Sequence, residues 1–463
     1  MNPLVIHETP GLYDVIVLGG GVSGSVAAIA AGRIGARVLL VEEHGFLGGS
    51  LTAMGVGPMM SFHDAAGSQV VRGIADELIE RLKKRGASPG HIPDTTTYCS
   101  TVTPFDSEEL KIEFETMLQE ANVEVLFHTQ LAGVKTANGQ IERVIVCNKA
   151  GLTSLGARVF VDATGDGDLA ARAGVRFQFG RAHDAAAQPM TMNLKLANVD
   201  TAAVRAFALE HPEDFLWHQS REEGMRRLRT AQRFSLAGFC GAWRAARERG
   251  EVDVPRDHVL FFETAVPGVV IVNTSRVIGY DATDPMQLSR AEMAGRRQCT
   301  QIFRFLRQHA PGFSAAVRMD TAAKIGVRET RHIEGLYQLT AEDLITARPF
   351  DDAIALGGYP IDIHAPGGDS TSTLAVKTDA PYQVPLRSLL VAEPRNLVVV
   401  GRCISATHEA AAAIRVTPIA MAIGQAGGVT AALAAQRDSA LEDVPFALVR
   451  EHLLAQGACL PEI

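Results

Sequence analysis

Cysteine is sparse in this 463-residue chain: six residues, at 99, 147, 240, 299, 403 and 459, with no CxxC pair among them. That spacing argues against a zinc ribbon, a bound iron–sulfur cluster and a dithiol redox centre, and no metal site is expected. Reduced thiols in a cytoplasmic protein are the reading that fits. A basic excess is also missing. The formal net charge is -8, and the short basic clusters 81–85 and 226–229 read as solvated helix faces, so nucleic acid is not an expected partner. The N-terminus has no basic region followed by an apolar one, so no secretory signal is read there. No membrane span is expected either. The longest apolar candidate, 418–435, is rich in Gly and Ala and reads as a buried helix. No internal repeat or low-complexity linker appears.

What the chain does have is a 31-residue stretch, Tyr13 to Glu43, with the order strand, Gly-rich turn, helix, strand, acid. The turn is Gly19-Gly20-Gly21-Val22-Ser23-Gly24. Gly19 allows the tight turn, Gly21 the approach of a pyrophosphate, and Gly24 close packing of helix on strand. The helix N-terminus, at Val22 and Ser23, offers N–H groups and positive potential to phosphates. Glu42, 23 residues after Gly19, is spaced to accept a ribose hydroxyl, with Glu43 the alternative. Without the flanking strand and acid, the glycines alone fit any βαβ turn.

Further along, 45–52 is a Gly-rich loop at the end of the second strand, containing Gly49, Ser50, Leu51 and Thr52. A helical pattern covers 68–84, and Asp106 opens another helix with a capping-box spacing to Glu109. Residues 134–147 read as a hairpin about Asn138-Gly139. The segment 157–167 is a strand running into an Asp- and Gly-rich turn that includes Thr164 and Gly165. From about 181 the pattern changes to helical stretches at 201–209, 221–249 and 284–309 alternating with short strands. No second GxGxxG occurs, which argues against a separate nicotinamide domain. Arg331 in GVRETR and His364 in GGYPIDIH are residue types that bind carboxylates or move protons; so are His408 and Arg415. Each is also an ordinary surface or structural residue elsewhere. Gly401 and Arg402 follow a late apolar strand, 396–400. Thr417 suits an N-cap and Pro418 the first helical position.

Taken in order, VLGGGVSG, LGGSLT, DATGDGDLA, VNTSRVIGYDATD, GVRETR, GGYPIDIH and the long GRCISATHEAAAAIRVTPIAMAIGQAGG segment resemble the FAD-dependent oxidoreductases of glutathione-reductase type related to fumarate reductase and succinate dehydrogenase flavoproteins. The resemblance runs over roughly residues 13–435. It implies an α/β protein, a Rossmann-like FAD-binding domain with an inserted α+β substrate domain. FAD-binding residues are expected at 1–182 and 385–463, and the substrate domain at 183–384. The resemblance further implies that Val134 meets the adenine through backbone, that Thr164 and Gly165 line the cofactor cleft, and that the isoalloxazine lies between LGGSLT and IRVTP. Relatives with covalent FAD carry Ser-His-Thr where this chain has Ser50-Leu51-Thr52, so the FAD is expected to be noncovalent.

The expected activity is hydride transfer between FAD and a small organic, anionic substrate. Arg331 and Arg415 are the candidates for the anion, His364 and His408 for the proton. The rival readings are an alkene reductase, a flavoprotein subunit of an electron-transfer complex, and a scaffold without turnover. The expected partners are the small-molecule substrate and an unknown electron acceptor or donor; a homo-oligomer is compatible with the sequence.

Overall fold

The computed structural model describes residues 5–9, 11–368, 371–374, 376 and 380–462. The ends of the expected domain ranges, residues 1–4 and 463, lie outside the described residues. One long strand, Gly151–Asp162, joins two sheets. Its second half sits in a parallel sheet, between Tyr13–Leu18 on one side and Leu397–Val399 on the other; Val38–Val41 and Glu124–Leu126 follow outward. Its first half closes an antiparallel meander with Gln140–Asn148 and Gln130–Ala137. Asn138 and Gly139 turn that hairpin with φ of 53° and 71°, the left-handed pair that a two-residue hairpin requires.

Side chains alternate along the parallel strands, so each face has its own core. Val15, Val17, Val38, Leu40, Val159 and Val161 face the helices Val22–Arg33 and Thr417–Arg437. Ile16, Leu18, Leu39, Val41 and Phe160 face the meander. The two helices pack backbone on backbone. A Cβ on Gly424 would lie 2.2 Å from the Ser23 carbonyl oxygen, and one on Gly428 would lie 2.1 Å from that of Ala27. Among the described residues, Thr417–Arg437 is the one helix long and apolar enough to cross a membrane; 94% of its apolar window is buried in the protein. It starts one residue earlier than the sequence implies: Val416 is the cap, Thr417 the first residue and Pro418 the second.

A second core runs from Met190 to Val327. It covers an antiparallel sheet of five strands, in the order Ser235–Gly238, Val259–Glu263, Val270–Val272, Leu194–Ala197 and Val317–Thr321. The stretch expected as one helical region at 221–249 is split: helix Arg221–Thr230, strand Ser235–Gly238, helix Cys240–Glu248. The four strand residues are all buried and pair with Val259–Glu263, so tertiary burial overrides local propensity. The expected substrate domain reached to 384, but Leu339, Leu344, Ala353 to Leu356, Ile361 and Val384 pack into the first core.

Candidate functional site

A cavity of about 570 Å³ lies between the two cores, within the range of roughly 300–1,000 Å³ usual for ligand pockets. One end is built mostly of backbone. Gly19 has a φ of +102°, and a Cβ there would meet the Ala163 carbonyl oxygen at 2.4 Å; only glycine makes this turn. A Cβ on Gly24 would lie 1.8 Å from the Gly19 carbonyl oxygen. Gly24 therefore sits beneath the turn, while Gly19, Gly21, Val22 and Ser23 line the cavity. The helix Val22–Arg33 has no side-chain cap and no acid in its first turn, so its N-terminal partial charge is left for a ligand.

Glu42 closes this end. Its carboxylate accepts from the Gly20 N–H at 2.6 Å and the His44 N–H at 2.8 Å, and its Oε1 lies 2.7 Å from His44 Nδ1. A carboxylate has about four acceptor positions, so one remains for a hydroxyl. Glu43 pairs instead with Lys324, 2.7 Å away, which reaches over from the second core. Val134 does not line the cavity. Thr129, Gln130 and Leu131 do, because the strand begins at Gln130 and the Thr129 N–H bonds the Glu42 carbonyl.

In the turn after Gly151–Asp162, the buried Asp162 accepts from the N–H groups of Thr164 and Ala170 and from the Thr164 hydroxyl. That fixes Thr164 and Gly165 on the cavity wall. Burial pushes the Asp162 carboxyl up. Arg402 pairs with Asp166 beside Gly165, and its Nε is buried without a partner. Gly49, Ser50, Gly401, Thr417 and Ala420 complete the wall. Leu51 is buried in the first core, and the Thr52 hydroxyl bonds the Leu47 carbonyl, so neither side chain reaches the cavity. Pro418 is also buried off the lining.

The other end is built of side chains. Arg256, Arg328 and Arg415 all line it, against a single local carboxylate, Asp362. Arg256 is 5% exposed and donates to the Asn273 carbonyl at 2.9 Å. Burial, with Arg276 next, pushes its guanidinium down to about 10. Burial and the charges of Arg415 and Arg256 lower Arg328 as well. Arg415 lies 3.9 Å from Asp362, and its Nε is buried without a partner. Burial alone would raise the Asp362 carboxyl, but His364 and Arg415 hold it well below the usual range. His364 Nε2 is 3.2 Å from Asp362, while its Nδ1 faces Arg276 and Thr371. Burial drives this imidazole down to about 3, with Asp362 only partly opposing. Neutral His364 therefore donates from Nε2 and accepts at Nδ1, and both nitrogens are engaged.

Two sequence candidates lie elsewhere. Arg331 donates to the Asp166 carbonyl at 2.9 Å and to Asp168 at 3.0 Å, with its guanidinium 5.3 Å from the Phe177 ring centre. Gly326, Val327 and Arg328 all line the cavity, whereas Arg331 opens the strand Arg331–Ile333, which pairs with Phe177–Phe179. His408 bonds Glu329 at 2.7 Å and is 3% exposed, with His332 on the same carboxylate. Burial would raise Glu329, but the two imidazoles lower it to about 2. Of the two arginines in GVRETR the sequence reading commits to Arg331 rather than Arg328, and in GGYPIDIH to His364 rather than Asp362; Arg256, Lys324, Tyr98 and His218 lie in no motif that the sequence reading singles out.

The cradle fits a dinucleotide: a glycine turn with no room for side chains, an uncapped helix end, an acid with an acceptor position free, and an unpartnered Arg402 Nε. Over short segments the chain is 46% identical to a dihydrolipoamide dehydrogenase of Chaetomium thermophilum (55 residues, 12% of this chain and 11% of that protein). It is 38% identical to a ferredoxin–NADP reductase of Geobacillus thermodenitrificans (80 residues, 17% and 23%). The chain thus spans less than a quarter of these curated relatives. Among solved structures, it is similar to a geranylgeranyl bacteriochlorophyll reductase-like protein of Thermoplasma acidophilum (12% identity, 97% of this chain and 83% of that one, TM-score 0.46). It is likewise similar to the p-nitrophenol 4-monooxygenase PnpA of Pseudomonas putida (12% identity, 97% and 85%, TM-score 0.47). The sequence model of the FAD dependent oxidoreductases matches residues 14–453. The chain belongs to this family, and FAD is its cofactor.

Proposed function

We propose that this FAD-dependent oxidoreductase moves a hydride between noncovalently bound FAD and a small anionic substrate held at the guanidinium-lined end of the cavity. The observation that carries this reading is charge: three arginines face one carboxylate in a space continuous with the glycine cradle. Guanidinium groups match carboxylates in shape and charge. The surplus favours a substrate with more than one anionic group.

In this reading Glu42 holds the adenosine ribose, the N-terminus of Val22–Arg33 the pyrophosphate, and Gly49, Ser50 and the start of Thr417–Arg437 flank the flavin. When bound, the FAD supplies the hydride acceptor or donor. The protein's own residues orient the substrate: Arg256, Arg328 and Arg415 fix its anionic groups, and Tyr98 and Tyr359 wall the chamber. The glutathione-reductase-type arrangement is supported by the meander joined to the parallel sheet.

The test is an anaerobic mix of FAD-loaded protein with lactate, malate, succinate, glutamate and their uncharged amides. Bleaching of the flavin absorbance by at least one anion, and by no amide, is the expected result. Bleaching by amides alone would remove the anion reading.

A further inference from the structure

Hydride transfer to or from a carbon bearing oxygen or nitrogen leaves one proton to be moved. Four histidines line the cavity: His44, His218, His258 and His364. His44 is bonded to Glu42, His258 to Asp257, and His364 to Asp362, Arg276 and Thr371. Among the described residues, His218 alone of the four has no hydrogen bond or ion pair on its ring.

Its position is nonetheless fixed. The His218 N–H bonds the Thr96 carbonyl at 3.0 Å, and the next N–H, of Gln219, bonds the Thr97 hydroxyl at 3.0 Å. The ring meets the Tyr98 ring edge-on at 4.7 Å between centres. Leu216 is tied to Ala237 of the second sheet. Thr96, Tyr98 and His218 share the cavity wall with Arg256 and Asp362. The groups that face the imidazole are Tyr98, Asp94, Asp362 and His258. His218 is exposed to the open cavity, and desolvation by the chamber walls outweighs the two carboxylates and lowers its pKa, so the neutral ring predominates at pH 7.

Resting on the hydride-transfer reading, we propose that His218 is the proton-transfer residue of this site. In the oxidative direction a substrate O–H or N–H bond breaks. Its proton goes to an imidazole nitrogen, and its electron pair becomes part of the new double bond to carbon. The hydrogen and electron pair leaving that carbon are what FAD, the oxidant of this family, takes up. The imidazolium then gives its proton to water, which restores the base.

The experiment uses the full-length, FAD-loaded protein and its His218→Gln variant. With whichever of lactate, malate or glutamate, the panel members that carry an O–H or N–H on the carbon to be oxidised, bleaches the wild type, the variant should reduce its flavin about 100-fold more slowly or worse. It should lose the acid limb of the pH profile, and added imidazole should restore part of the rate in His218→Gly. Wild-type rates and pH profile in His218→Gln would overturn the proposal and leave hydride transfer standing. If no panel member bleaches the wild type, the hydride reading itself fails, and a second measurement still decides the state of His218. Diethyl pyrocarbonate, mapped by mass spectrometry, should modify His218 faster than His258 and His364, with the rate falling in acid. Equal or slower modification of His218 would show that it is not an open base.

Discussion

The two ends of the cavity are made differently. The cofactor end is mostly backbone: a glycine turn, an uncapped helix and the first residues after two strands. The substrate end is side chains drawn from distant segments, with Arg256 and Arg328 on or beside the second core and Arg415 on the first. A backbone site depends on where glycine is required. A side-chain site depends on which residues the tertiary fold happens to gather. The first can tolerate little change without losing shape; the second can change its ligand by single substitutions.

The largest effect should come from breaking the backbone end. Gly24→Val places carbon 1.8 Å from the Gly19 carbonyl oxygen, and overpacking of this kind costs about 1–3 kcal/mol or more. The purified variant should be colourless, with a lowered Tm for the apoprotein. Full FAD occupancy would mean that the turn is not the cofactor cradle.

Next comes the seam between the ends. Glu329 accepts the Gln188 N–H as well as the two imidazoles, and Gln188 in turn accepts the His364 N–H. Its pKa is lowered from 4.5 to about 2 in the folded protein. A depressed carboxylate contributes stability that is present above the unfolded value, near pH 4.5, and is lost as pH falls toward about 2. The amount is on the order of 3 kcal/mol. Glu329→Gln should lower the Tm at pH 7 and flatten the acid limb between these values. An unchanged limb would place acid sensitivity elsewhere.

Arg328→Gln and Arg415→Gln sharpen the contrast from the substrate side. Each should weaken anion binding by about 1.5–3 kcal/mol, ten- to a hundredfold, with FAD affinity unchanged. Equal loss of FAD would show that the two ends are not separable. Smallest of all is Cys403→Ser. The thiol is fully buried, with its pKa raised by that burial and then by Asp162. Flavin reduction should match the wild type; complete loss would reinstate a redox thiol.

The same contrast explains what the sequence revealed. Gly19, Gly21, Glu42, Thr164 and Gly401 were legible because local backbone geometry demands particular residues at fixed spacing. Val134 lies off the cavity lining, which takes Thr129, Gln130 and Leu131 instead, because a strand's start is set by tertiary pairing, here through Thr129 to Glu42. Arg415 and His364 were found and do line the cavity; Arg331 and His408 do not. Nothing local separates Arg328 from Arg331: the difference is tertiary, the segment at Gly326 bridging Thr191 beside the cavity and Arg331–Ile333 pairing with Phe177–Phe179. Arg256 and His218 had no motif at all.

The central claim, an FAD cradle continuous with an anion chamber, is tested most directly by ligand titration of the oxidised protein. Acetate, malonate, succinate and succinamide would be added in turn while the flavin absorbance is followed. Saturable spectral shifts should appear with malonate or succinate at lower concentration than with acetate. Succinamide should give none, and Arg328→Gln should erase the preference for two charges. Equal binding of succinamide and succinate, unchanged in Arg328→Gln, would contradict the account.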